Sequence, residues 1–206
     1  MKITLLGDSI RMQYQNAVGE MLGSDFEIFA PAENCRFSKY TLRGLFDWRN
    51  NMSGSRIVHW NNGLWDICDI LGDGKIFCTD EEYLDNMLRI ADVLLARYEK
   101  VIFATTTPVT ERNLYNKNSD IERFNALLVP KLKEKGIIIN DLYSLIAQNI
   151  DKYVSNDNIH LTDEGIVLCA QAVTQTILEA AKDLPETKVV DTDEQKKQDN
   201  GAPVLI

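Results

Sequence analysis

Histidine is scarce in this chain: of 206 residues only His59 and His160 carry an imidazole. The four cysteines, Cys35, Cys68, Cys78 and Cys169, are irregularly spaced, and none forms a C-x-x-C pair. That combination excludes the usual zinc-site spacings and a disulfide framework, so the thiols read as reduced, with Cys169 packed inside an apolar helical run. No phosphate-cradling G-x-x-x-x-G-K or G-x-G-x-x-G occurs, and no metal or organic cofactor is implied. No stretch approaches the roughly 20 apolar residues of a membrane span. The apolar run after Met1 is too short for the core of a signal peptide, which predicts a soluble, cytoplasmic protein. Basic residues are outnumbered, 22 Lys and Arg against 31 Asp and Glu, for a net charge of −9 and a pI near 4.8. Such a surface repels phosphate backbones and anionic lipids, so neither nucleic acid nor membrane is expected as a partner. The expected partner is a small neutral molecule, and the sequence is silent on oligomeric state.

What is present is 45% hydrophobic residues in a chain of one-domain length, enough for a sizeable core. Short β-branched or aromatic runs predict strands at Ile3 to Leu6, Phe26 to Phe29, Ile57 to Trp60, Val101 to Thr105 and Ile137 to Asn140. Helical patterns lie between and after them, at about Arg11 to Leu22, Ser38 to Trp48, Glu81 to Tyr98, Asp120 to Lys135 and Thr162 to Lys182. In the third of these Tyr83, Met87, Ile90, Leu94 and Leu95 share one face. Strands alternating with helices predict a three-layer α/β/α sandwich around a five-stranded parallel sheet, flavodoxin-like in type. One domain is expected over 1–182, followed by a polar, aperiodic and flexible tail over 183–206. Ligands of such sheets sit beyond the carboxyl ends of the strands, near the switch in strand order.

Three segments fall at that edge. Gly7-Asp8-Ser9 follows the first strand and precedes a helix, which suits a nucleophile and equally suits an N-cap. Asp157-Asn158-Ile159-His160 precedes the last helix. A carboxylate three residues before an imidazole can hold Nδ1 and leave Nε2 to accept a hydroxyl proton, while Thr162 caps the helix. His59-Trp60-Asn61-Asn62-Gly63-Leu64-Trp65-Asp66 leaves the third strand with donors for a developing oxyanion, or is simply an Asn-Asn-Gly turn.

In order and spacing these segments resemble the blocks of the SGNH (GDSL-like) esterases and lipases. The resemblance implies that Ser9 attacks, His160 is the base and Asp157 orients it. It also implies an oxyanion hole made by the amides of Ser9 and Cys35 and the side chain of Asn61, with Asn62 as the competing choice. Two blocks depart from the pattern. The glycine of the third block is His59, expected to be a packed residue, and the glycine of the second block is best matched by Cys35. Thr105-Thr106-Thr107-Pro108 also looks like the family's core. Arg36, Trp60, Asn62, Trp65 and Tyr115 are candidate walls of a substrate pocket.

The activity so implied is hydrolysis of a short O-acyl ester, acetyl on a carbohydrate, with a lysophospholipase or thioesterase as the rival within enzymes. From another class, the same fold with a decayed site would be a non-hydrolytic binding module.

Overall fold

The computed structural model describes residues 1–185. Five parallel strands, β1 (Lys2–Leu6), β2 (Glu27–Phe29), β3 (Ser55–Trp60), β4 (Lys100–Ala104) and β5 (Ile138–Asn140), form one sheet in the order β2-β1-β3-β4-β5. Helix α1 (Ser9–Leu22) connects β1 to β2. The next crossover carries α2 (Ser38–Asp47) and the short α3 (Arg49–Met52), and α4 (Asp80–Leu95) and α5 (Asn118–Glu134) make the two that follow. After β5 come α6 (Leu142–Ala147), α7 (Ile150–Tyr153) and the long α8 (Asp163–Lys182). This is the α/β/α sandwich expected from the alternation of patterns.

Both faces of the sheet are covered, which is why the central strands read as continuous apolar runs. Ile3, Leu5, Leu6, Ile57, Val58 and Trp60 are all inaccessible to solvent. Successive residues of β3 point to opposite faces. His59 meets the ring of Tyr14 on α1, edge to face at 6.2 Å, and α1 packs against α8. Trp60 faces the other layer, where α4 packs on α2 and α5, and it tilts against Phe103 of β4 at 4.9 Å.

The expected elements are present with ends shifted by a few residues. Leu95 departs from the expected face: it closes the last turn of α4 and is exposed, whereas Tyr83, Met87, Ile90 and Leu94 are buried. Helices α3, α6 and α7 are too short to show a helical period, though Asp141 and Asn149 cap the last two with their side chains. Thr79 and Glu82 form a capping box at the start of α4. Pro185 is held through its carbonyl by Arg56 at 2.9 Å, and the rest of the expected tail lies outside the described residues. Among those described, no helix is long and apolar enough to cross a membrane, and the four cysteines are unpaired.

His59 is a core residue. Asn140 Nδ2 lies 3.3 Å from its Nε2, and burial holds the imidazole down at about 3. Since the unfolded chain binds a proton near 6.5 that the native state refuses, stability is lost as pH falls from about 6.5 toward 3. Between pH 7 and pH 4 this single group costs about 3 kcal/mol. Urea unfolding at both pH values should therefore show a smaller acid penalty for His59→Leu than for the parent protein, and equal penalties would refute the assignment.

Candidate active site

Strands β1 and β3 end level with each other, Leu6 opposite Trp60, so the residues that follow them emerge side by side at the switch in strand order. The Asn61 amide still donates to the Leu6 carbonyl at 3.2 Å. Gly7 then turns with φ +155°, and a Cβ there would lie 1.9 Å from Asn61 Oδ1. Only glycine fits between the two strand ends. Asp8 is the N-cap of α1, accepting from the Ile10 amide at 3.0 Å, so the cap expected of this tripeptide falls to Asp8 and Ser9 becomes the first helical residue. Burial pushes the Asp8 carboxyl above its ordinary range, against the opposing pull of the Asn61 and Ile10 hydrogen bonds and the Arg11 charge.

The second segment closes on Ser9 from across the molecule. An isolated antiparallel bridge between Val154 and Leu161 ties the ends of the 154–161 loop together, helped by the Ser155 amide donating to the His160 carbonyl at 2.7 Å. Asn158 takes the left-handed turn at its tip, φ 72°. Asp157 Oδ1 accepts from the amides of Ile159 and His160 at 3.0 and 2.9 Å and from the Ser155 hydroxyl at 2.8 Å. Burial alone would raise this carboxyl, but those bonds and the His160 ring together hold it well below the usual range. It stays a carboxylate with Oδ2 2.7 Å from His160 Nδ1, and His160 Nε2 lies 2.8 Å from Ser9 Oγ. A carboxylate, an imidazole and a hydroxyl thus stand in one hydrogen-bonded row, the arrangement that makes a serine nucleophilic.

On the other side of Ser9 the two asparagines differ. Asn62 is fully buried and spends its amide hydrogens on the Arg36 carbonyl and the Thr41 hydroxyl, both at 2.9 Å. Asn61 donates to Asp8 Oδ1 at 3.0 Å, and among the described residues its second amide hydrogen has no acceptor. Three expectations therefore need correction. Asn62 is an anchor for the neighbouring loop and no wall of a pocket. Trp60 is 0% exposed and belongs to the core beneath the site. The Cys35 amide donates to the Gly7 carbonyl at 3.1 Å, which takes it out of the set of donors available to a ligand. The residue beside it, Arg36, has φ 50°, the left-handed backbone that glycine adopts at least cost. Arg36 in turn donates its amide to Asn34 Oδ1 at 2.7 Å, so neither residue offers a free amide here. Its side chain is exposed over the Tyr40 ring, and Trp65 is 40% exposed on the loop after β3. Thr105 and Thr106 are buried turn residues: Thr105 binds Asp141, and Thr106 donates to the Asn62 carbonyl.

With this geometry in view, the comparisons with known proteins are direct. No family model matches the chain. The curated protein GDSL esterase/lipase WDL1 of Oryza sativa subsp. japonica is 28% identical over 118 residues, 50% of this chain. The chain spans about half the length of that relative, the match covering 45% of it. Solved structures agree over nearly the whole fold. The lipase/acylhydrolase from Enterococcus faecalis matches with a TM-score of 0.71 at 17% identity, covering 90% of this chain and 98% of that one. A carbohydrate acetylesterase family member from Sinorhizobium meliloti gives 0.71 at 14% identity, with 88% and 99% covered. These likenesses show that the chain has the fold of GDSL-type acylhydrolases and esterases.

Several residues around the site carry no motif and were not singled out in the sequence. Gln13, one turn beyond Ser9, brackets Leu161 with both ends of its amide, accepting from the backbone N–H at 2.9 Å and donating to the carbonyl at 3.2 Å. It pins the histidine loop to the helix of the serine. Thr110 and Asn113 hold Asn158 from the loop after β4. Arg11 and Asp66 are fully buried charges flanking the 31–38 segment. An arginine inside an otherwise apolar helix face was the one available signal for the first.

Gly7→Ala places a side chain against Asn61 at a backbone angle that alanine resists. The expected cost is about 3 kcal/mol, the sum of overpacking and strain. A urea midpoint unchanged by this substitution would contradict the close approach described here.

Proposed function

We propose that this chain is an SGNH-type serine carboxylic ester hydrolase that removes short O-acyl groups, acetyl above all, from a carbohydrate. The observation that carries the reading is the unbroken row from Asp157 through His160 to Ser9, with contacts of 2.7 and 2.8 Å. In this reading His160 Nε2 takes the Ser9 proton as Oγ bonds to the ester carbonyl carbon. The carbonyl π electrons move onto oxygen, giving a tetrahedral oxyanion. It is received by the amide of Ser9 and the remaining hydrogen of Asn61 Nδ2. On collapse the C–O bond to the alcohol breaks, and His160 returns its proton to the leaving oxygen. Water, deprotonated by the same imidazole, then attacks the acyl-enzyme and releases the carboxylic acid and free Ser9. These steps draw on side chains, backbone amides and water alone.

The carbohydrate preference rests on the exposed Trp65 and Tyr115 rings, which offer flat apolar faces to a sugar, and on the similarity in fold to a carbohydrate acetylesterase family member. One observation favours the rival, a lysophospholipase or thioesterase. The loops after β3 and β4 are joined by the Asp69 amide on the Tyr115 carbonyl and by Asn116 on the Leu64 carbonyl, and together they expose Ile70, Leu71 and Leu114. Such a surface could receive a longer acyl chain.

A fluorophosphonate should label the folded protein at Ser9 and fail to label Ser9→Ala, which separates an enzyme from a binding module. Ser9→Ala and His160→Ala should lower turnover by about 10⁴-fold or more, with Asp157→Asn somewhat milder. Across p-nitrophenyl esters the rate should be highest at acetyl. A steady rise toward long chains would replace the carbohydrate reading with its rival.

A further inference from the structure

We propose that Asn158 is a positioning residue for the Asp157–His160 pair, held from outside its own loop by Thr110, Arg112 and Asn113 of the loop after β4. This rests on the hydrolase reading and extends it to what fixes the imidazole in place. Asn158 follows Asp157 directly and stands two residues before His160. The Asp157 carboxylate makes its contacts within the 154–161 loop, on Ser155, Ile159 and His160. Asn158 reaches outward with both of its oxygens. Its Oδ1 accepts from the Thr110 hydroxyl at 2.7 Å and from Arg112 Nε at 3.2 Å. Its carbonyl accepts from the Thr110 amide and from Asn113 Nδ2, each at 3.2 Å. Arg112 Nε can only donate, so the position calls for an oxygen at the end of the side chain.

The anchor is itself tied to the body of the fold. Thr110 is buried. Asn118, at the start of α5, brackets Val109, donating to its carbonyl at 2.8 Å and accepting from its amide at 2.9 Å. Asn113 Oδ1 accepts from the amides of Tyr115 and Asn116 at 2.9 and 2.8 Å, and Asn116 Nδ2 reaches the Leu64 carbonyl at 2.7 Å. The 154–161 loop is therefore gripped at two points, by Gln13 on Leu161 and by this cluster on Asn158, and His160 lies between them in the chain. The plainer role for Asn158 is that of a turn former, since its φ of 72° suits asparagine and suits glycine better. A turn former needs no partner for its side chain, yet two donors converge on Oδ1, one of them the hydroxyl of a buried threonine. Thr110 carries most of this hold, because Arg112 is exposed and water weakens its share. A catalytic group displaced by about 1 Å can lose on the order of 10²-fold in rate, so such a grip acts on kcat more than on KM.

The test uses p-nitrophenyl acetate and the full chain. Asn158→Gly keeps the left-handed turn and deletes Oδ1, and it should lower kcat by about 10- to 100-fold with KM changed by less than about threefold. Thr110→Val, which removes the donor, should do the same. Thr110→Ser, which restores a hydroxyl, should recover about tenfold over Thr110→Val. The double variant of Asn158→Gly and Thr110→Val should fall within about threefold of the slower single one, because both delete one contact. Far-UV circular dichroism checks folding. Should Thr110→Val fail to fold, Asn158→Gly decides the matter by the same split between kcat and KM, since glycine relieves the backbone at this φ. A folded Asn158→Gly with the parent's kcat, or with the whole loss in KM, makes Asn158 a turn former alone and overturns the positioning role while leaving the hydrolase reading intact. A parent protein that turns over no ester and ignores fluorophosphonate overturns both.

Discussion

Everything at the candidate site depends on how closely β1 and β3 run where they end. Their register puts Leu6 beside Trp60, and the next residue of each chain must pass the other with no room for a Cβ at position 7. That close approach brings Asn61 onto Asp8, and Asp8 caps the helix whose first residue is Ser9. One backbone constraint thus sets the height of Ser9, the direction of its helix and the place of a neighbouring amide donor. The helix end adds its own contribution, because unpaired amides and the macrodipole at an N-terminus favour negative charge in front of Ser9.

The histidine reaches this place by a different route, over 151 residues of sequence. Its loop is short, bridged at the base and turned at Asn158, and most of its polar groups are satisfied within it. Asp157 can therefore stay ionised although its side chain is half exposed, since backbone amides supply most of what water would. Docking the loop onto α1 falls to Gln13, whose amide pairs with both polar groups of one residue. The position of the imidazole and the ionisation of the carboxylate beside it are in this way set by separate contacts.

Much of this was legible in the sequence. Strand and helix periods gave the sandwich, and two tight spacings, Gly7-Asp8-Ser9 and Asp157 to His160, marked the segments that meet. The missed features share a physical cause: they depend on contacts between distant segments that leave no local pattern. The amides of residues 35 and 36 are claimed by the Gly7 carbonyl and by Asn34 Oδ1, which no motif reveals. Trp60 looked like a pocket wall because aromatic residues suit sugars, yet strand alternation beneath a covered sheet buries it. Asn62 looked interchangeable with Asn61 until the Arg36 carbonyl and the Thr41 hydroxyl claimed its amide. Short helices α3, α6 and α7 escaped because fewer than two turns show no period, although Asp141 and Asn149 were capping signals in plain sight.

The loops after β3 and β4 stand apart from this chemistry. They carry the exposed Trp65, Ile70, Leu71, Leu114 and Tyr115, and they are joined to each other by backbone and asparagine contacts. Their hold on the triad is indirect, through Thr110 and Asn113 on Asn158 and through Asn62 below. A change of side chain at Leu71 or Leu114 therefore alters what the mouth offers a substrate without moving Ser9 or His160. The buried Asp66 links the two regions, since it lies in the loop after β3 beside Trp65 and also accepts from Ser38 at the start of α2.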